Sequence, residues 1–211
     1  MIDPRRAALI IIDMQGGFIN ESSALAIAGA RASIPACART LEAARSLSMN
    51  VIHVVRKYAV DGSDVEPVRR RLWLDGGKPL SDADPESLRE ADEIAPVPGE
   101  TVMVKPSFSA FFNTALDETL SEKGIDTVVL IGTTTPNCIR STCYDALSLG
   151  YNAIVVEDAT SSRNRAVQDS NIEDMRFIGA TILDSATFAA QGLSDVEDVV
   201  AEARKLIEPA R

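Results

Sequence analysis

Histidine occurs once in these 211 residues, at His53, and that single count removes several chemistries. Zinc sites built on two or three histidines cannot form, and a Ser-His-Asp or Cys-His hydrolase would have to use His53 itself. Cysteine is almost as sparse. Cys37, Cys138 and Cys143 make no CxxC pair and no even-numbered set, so neither thiolate zinc nor a disulfide scaffold is expected. Positive charge is in short supply: 21 Lys and Arg face 31 Asp and Glu, for a formal net charge of -10. That balance argues against nucleic acid or anionic lipid as a partner, because both are held by positive patches. A basic, apolar leader and an uncharged apolar run of about 18 residues are also missing, so a reducing cytoplasm and no membrane association are expected. Internal repeats and low-complexity tracts are absent.

What remains is 45% hydrophobic and 25% charged, ordinary for a globular protein, and the chain is read as one domain over residues 1–211. Short continuous apolar runs at 7–12, 51–55, 101–104, 127–132, 152–157 and 180–183 read as strands covered on both faces. Helical patterns lie between them, near 31–47, 112–123, 136–149 and 165–177, with a weak patch near 84–92 and an amphipathic one at about 193–208. Regular alternation of strand and helix predicts a three-layer α/β/α domain around a mostly parallel, six-stranded, Rossmann-like sheet. The stretch from Arg56 to about Asp84 has turn signals, clustered charge and no sustained period, and is read as a long loop.

Three of the strands run into reactive side chains: AALIIID ends in Asp13, TVMVK in Lys105, and TVVLIGTTTPNC in Cys138. Open parallel sheets place ligands at the C-terminal ends of their strands, so a carboxylate, an ammonium and a thiol are expected in one cleft. In GTTTPNC, Thr135 is a candidate N-cap and Pro136 the first helical residue, which sets Cys138 in the first turn. The positive end of a helix there is expected to lower the thiol pKa and to offer N–H groups to an oxyanion. The competing reading for Cys138 is a small buried apolar residue, and for Asp13 and Lys105 a turn cap and a solvated edge charge. Cys37 and Cys143 read as core. On a helix, residues five apart point about 140° away from one another, so no Cys138–Cys143 disulfide is expected.

These residues resemble the isochorismatase-like cysteine hydrolase superfamily, which includes nicotinamidases, N-carbamoylsarcosine amidases and ureidoacrylate amidohydrolases. The landmarks are D-M-Q-x-x-F at Asp13, Gln15 and Phe18, V-K-P-x-x-S-A-F-F from Val104 through Lys105 to Phe112, and G-T-T-T-P-N-C-I-R-S-T from Gly132 to Thr142. The resemblance implies Asp13, Lys105 and Cys138 as a catalytic triad, a cis peptide between Thr133 and Thr134, and an oxyanion hole made by the Thr134 and Cys138 backbone amides. It also implies a homodimer or homotetramer. Gly16 and Gly17 depart from the Asn-Asp found in many relatives, which takes side-chain anchors away from that turn. The aspartate and histidine metal site of nicotinamidases lacks its histidines here. A nucleophilic cysteine, commonly missing from isochorismatases proper, favours attack on an amide-type carbonyl. The expected activity is therefore hydrolysis of a small amide, carbamoyl, ureido or lactam C–N bond through a thioester, with no cofactor and no metal. Two other readings are kept: a thiol redox or sensor protein using Cys138, and a noncatalytic assembly subunit.

Phe18, Tyr58, Arg70, Trp73, Phe108 and Phe111 are the candidate pocket residues, aromatic walls suiting a planar substrate and an arginine suiting a carboxylate on it. Equally, Phe108 and Phe111 read as core, and the Arg69–Arg71 cluster as solvated or part of a subunit contact. His53 is expected to be a hydrogen-bonded structural residue, Arg140 to anchor Asp145 or another acid, and Asp158 to anchor a cap or loop.

Overall fold

Ala7–Ile12, strand β1, buries all six of its side chains, and a strand can do that only with cover on both faces. The computed structural model describes residues 1–207 and supplies that cover. After β1 come α1 (Gly16–Ile19), α2 (Ala30–Ser46), β2 (Asn50–Val55), α3 (Pro67–Asp75), α4 (Pro85–Leu88) and β3 (Thr101–Val104). Then follow α5 (Leu116–Glu122), β4 (Thr127–Thr133), a π-helical turn (Thr135–Ile139), α6 (Arg140–Leu149), β5 (Asn152–Ser161), α7 (Arg165–Phe177), β6 (Thr181–Leu183), α8 (Ser185–Gln191) and α9 (Val199–Ile207). The six strands pair in the order β3-β2-β1-β4-β5-β6, and every pairing is parallel.

Alternation along β1 sends Leu9 and Ile11 toward Ile34, Cys37 and Leu41 of α2 and Phe188 of α8. Ala8, Ile10 and Ile12 face the other way, packing with Leu116 and Leu120 of α5, Cys143 of α6 and Met175 of α7. Each such fully buried Leu or Ile stabilises the fold by about 1.5–3 kcal/mol. Three layers result, as expected, with a sheet that is wholly rather than mostly parallel. The edge strand β3 is the exception to two-sided cover, for Val102 and Val104 stay about half exposed.

The stretch 56–84, expected as a bare loop, contains α3. Its apolar residues gave no periodic signal because Val68, Leu72 and Leu74 face outward while Trp73 alone is fully buried. Trp73 joins Phe18, Leu25, Tyr58, Val65 and Leu80 in a small second core over the C-terminal end of the sheet. Gly17 permits this closure, since a Cβ there would lie 2.5 Å from Leu80. Helix α8 was also not foreseen, being short; Asp184 caps it by accepting the Thr187 N–H at 2.8 Å. The helix expected at 112–123 starts only at Leu116, and the terminal one only at Val199, while residue 208 lies outside the described residues. No helix among the described residues is long and apolar enough to cross a membrane.

His53, in the middle of β2, is fully buried between two carboxylates, Glu90 at 3.2 Å from Nδ1 and Glu100 at 3.1 Å from Nε2. Burial works against the imidazolium, but the two glutamates outweigh it and hold the pKa above 6.5. Glu100 is itself drawn down to about 2: burial opposes its charge, while Arg45 and the Val97 N–H overcome that. A raised histidine pKa stabilises the folded state fully below 6.5 and loses that contribution as pH climbs through the folded value. The melting temperature should therefore fall as pH rises from 6.5, and His53→Gln should flatten that slope. Equal slopes in the two proteins would refute the assignment.

Candidate active site

Asp13 is the first residue beyond β1 and adopts a left-handed backbone, φ 56°. Its N–H donates to Val54 O at 2.9 Å, and the N–H of Lys105, first beyond β3, donates to Val55 O at 2.9 Å. Strand β2 lies between β1 and β3, so two successive carbonyls at its end hold both residues side by side. Lys105 Nζ consequently sits 2.7 Å from Asp13 Oδ2. The same ammonium donates to Ser107 O at 2.9 Å and to Cys138 Sγ at 3.5 Å. Cys138 arrives from the other flank, because β4 is the second neighbour of β1 and the turn after it folds back over the sheet end. Gly132 makes that approach feasible: its φ is +114°, and a Cβ there would collide with Ile12 O.

All three groups are buried, Asp13 at 1%, Lys105 at 0% and Cys138 at 2% exposure. The Asp13–Lys105 contact is an ion pair without hydrogen-bond geometry, and neither Asp13 oxygen accepts a hydrogen bond among the described residues. A buried carboxylate so placed has its lone pairs open to an incoming proton.

The Thr133–Thr134 peptide bond is cis. Thr134, not Thr135, occupies the cap position, and no side chain caps the turn. Both hydroxyls are engaged elsewhere, Thr134 Oγ1 with Ser161 O at 3.0 Å and Thr135 Oγ1 with Ser161 O at 3.0 Å and Gln168 Oε1 at 2.7 Å. One expectation is corrected: the Cys138 thiol pKa is not lowered but pushed up to about 11. Burial is the main cause and the Asp13 charge the next, with Lys105 and Arg56 only partly offsetting them. The thiol thus rests protonated at neutral pH.

Of the expected pocket residues, Phe18, Tyr58 and Trp73 lie in the second core, where Trp73 donates to Pro79 O at 2.6 Å and is fully covered. Phe111 stacks on Tyr151 with ring centroids 5.8 Å apart, on the main core, and Phe108 is half-buried beside it. Arg70 is a correction: it is exposed and donates to Val65 O at 3.0 Å, because the register of α3 turns it outward. Its neighbour Arg69 faces inward, 5.1 Å over the Phe108 ring; burial opposes its charge, but Tyr58 and Glu66 outweigh that and raise its pKa.

Sequence reasoning missed Arg56, whose side chain is fully buried. Its Nη1 donates to Pro106 O at 2.6 Å and pairs with Glu66 at 2.9 Å, and Nη2 donates to the Ser107 carbonyl that also receives Lys105. Gln15 clamps the Arg56 backbone, accepting its N–H at 2.6 Å and donating to its carbonyl at 3.0 Å. An arginine directly following an apolar strand, opposite the reactive residues that follow its neighbours, was the available signal. Arg140 pairs with Asp174 at 3.0 Å, not Asp145, and Asp158 anchors the start of α8 by accepting the Ser185 N–H at 2.7 Å. Among the described residues, no group of three or more His, Cys, Asp or Glu is arranged to hold a metal ion.

With this geometry in hand, comparison with known proteins gives a consistent result. The isochorismatase domain profile matches residues 7–187. The structure of an isochorismatase family protein from Desulfovibrio vulgaris superposes with a TM-score of 0.83 at 40% identity, covering 88% of this chain and 97% of that one. A probable inactive nicotinamidase of Arabidopsis thaliana is 36% identical over 184 residues, 83% of this chain and 90% of that protein. A ureidoacrylate amidohydrolase of Azorhizobium caulinodans is 33% identical over 172 residues, 72% of this chain and 75% of that protein.

Proposed function

This chain belongs to the isochorismatase family, and from that premise we propose that it is a cysteine-dependent hydrolase of small non-peptide C–N bonds: amide, carbamoyl, ureido or lactam. The observation that carries the reading is the single ammonium of Lys105 touching both Asp13 at 2.7 Å and Cys138 at 3.5 Å. A relative that is a ureidoacrylate amidohydrolase supports the bond class.

The raised thiol pKa shapes the mechanism. A preformed thiolate is scarce, so proton transfer from Cys138 Sγ to the Asp13 carboxylate accompanies attack of sulfur on the substrate carbonyl. The Lys105 ammonium, in contact with both, balances whichever of the two neighbours carries the negative charge. The Thr134 and Cys138 N–H groups hold the oxyanion of the tetrahedral intermediate. Its collapse breaks the C–N bond as protonated Asp13 returns the proton to the leaving nitrogen, freeing amine and leaving a Cys138 thioester. Water, deprotonated by Asp13, then adds to the thioester; the thiol leaves with that proton and the acid is released.

A screen for ammonia release over small primary amides, carbamoyl compounds and ureides tests the proposal. Release from at least one class is expected, with none from peptides. A folded preparation inert on the whole panel would overturn it.

A further inference from the structure

Arg56 is a fully buried cation one residue beyond β2, and a buried ion pair often gives no more stability than well-packed apolar side chains of similar volume. What the guanidinium holds is backbone. Nη1 donates to Pro106 O at 2.6 Å and Nη2 to Ser107 O, while Glu66, the cap residue of α3, pairs with Nη1 at 2.9 Å. The Tyr58 hydroxyl donates to the other Glu66 oxygen at 2.7 Å, and the guanidinium lies 5.3 Å over the Tyr58 ring.

Both accepting carbonyls directly follow Lys105. Residues 105–115 lie between β3 and α5, outside every helix and strand, so no backbone ladder sets where those carbonyls point. Arg56 sets them, and it starts from a fixed root, because Gln15 clamps its own backbone at 2.6 and 3.0 Å. Ser107 O accepts from Arg56 and also from the Lys105 ammonium, at 2.9 Å, as the two lone pairs of a carbonyl allow. That ammonium must at the same time meet Asp13 at 2.7 Å and Cys138 at 3.5 Å. A lysine is a point charge on a flexible four-carbon stem, and a fixed third contact is what keeps it in one place.

We infer that Arg56 is a positioning residue for the reaction: by holding the Ser107 carbonyl it sets the Lys105 ammonium between Asp13 and Cys138. The inference rests on the hydrolase reading and deepens it, adding to the three reacting side chains one that acts only through Lys105. An arginine suits the task because its planar fork reaches two successive carbonyls and a carboxylate together, which a single ammonium does not. The effect on rate is large for a small displacement, since misplacing a reacting group by about 1 Å costs on the order of 10²-fold.

Two variants test this. Arg56→Lys keeps the charge beside Glu66 and loses the fork, whereas Arg56→Met/Glu66→Gln removes both charges, leaving the net charge near the thiol unchanged and no buried acid stranded. On an amide found by the ammonia screen, both should lower kcat roughly 10- to 100-fold with KM within about twofold of wild type. The second readout needs no substrate: alkylation of Cys138 by iodoacetamide at about pH 8. An ammonium drawn away from sulfur no longer favours the thiolate, so both variants should react roughly 3- to 10-fold more slowly than wild type. Added to Asp13→Asn/Lys105→Met, Arg56→Lys should slow alkylation no further, because no ammonium remains to be placed. Equal slowing in both backgrounds would mean a general loosening of the site and overturn the inference. A wild-type alkylation rate or a wild-type kcat in Arg56→Lys overturns it too, as does a loss carried by KM. If the double variant does not fold, Arg56→Lys decides alone. Alkylation slowed as expected in a protein inert on every amide would uphold Arg56 as the residue that places Lys105 and fail only the hydrolase reading.

Discussion

Cys138→Ala is expected to lower amide turnover to the background rate, a loss on the order of 10⁴-fold or more, while the protein still folds. Stability should change little, because a thiol is small and its removal leaves a gap costing about 1 kcal/mol. Cys138→Ser should be equally inactive. A serine hydroxyl is a still weaker acid than a thiol already pushed up to about 11, and Asp13 is the carboxylate whose charge reaches it. The same elevated pKa gives a companion signature in the wild type: alkylation of Cys138 by iodoacetamide should be slow at neutral pH and rise with pH without a plateau below about 10. Turnover by Cys138→Ala at a tenth of the wild-type rate would end the covalent scheme. An early plateau in alkylation would instead restore the preformed thiolate.

The sheet was legible because its strands are buried on both faces, and uninterrupted apolar runs such as Ala7–Ile12 arise from little else. The sites of Asp13, Lys105 and Cys138 at strand ends were legible for the same reason, since each follows such a run. What brings them together was not. The tether is a pair of β2 carbonyls, Val54 O and Val55 O, and backbone groups leave no mark in a sequence. Nor could the sequence rank Arg69 above Arg70, because Pro67 and the buried Trp73 set which face of α3 turns inward, and Trp73 has no periodic apolar partners. The thiol pKa was misjudged through depth. A helix N-terminus lowers a thiol pKa at a polar mouth, but Cys138 is 2% exposed, and burial together with the charge of Asp13 pushes its thiol up.

Lys105→Met is expected to remove activity and about 3–5 kcal/mol of stability together, because it strands the Asp13 carboxylate. That carboxylate is 1% exposed, accepts no hydrogen bond among the described residues, and has the Lys105 ammonium as its ion-pair partner. Left alone, it would relieve the penalty by taking up a proton, and a protonated Asp13 can no longer accept one from Cys138. Asp13→Asn removes the base directly. Combining the two as Asp13→Asn/Lys105→Met eliminates both buried charges, so the double variant should be more stable than Lys105→Met by a few kcal/mol and remain inactive. Urea denaturation gives the stability cycle, and ammonia release gives the rates. If the double variant were no more stable than Lys105→Met, the pair would not be coupled through charge. If Lys105→Met kept its stability, solvent would have to reach Asp13. The separation matters because stability recovers with charge balance whereas turnover needs the particular proton path from sulfur to carboxylate. A network kept only for packing would recover neither property selectively.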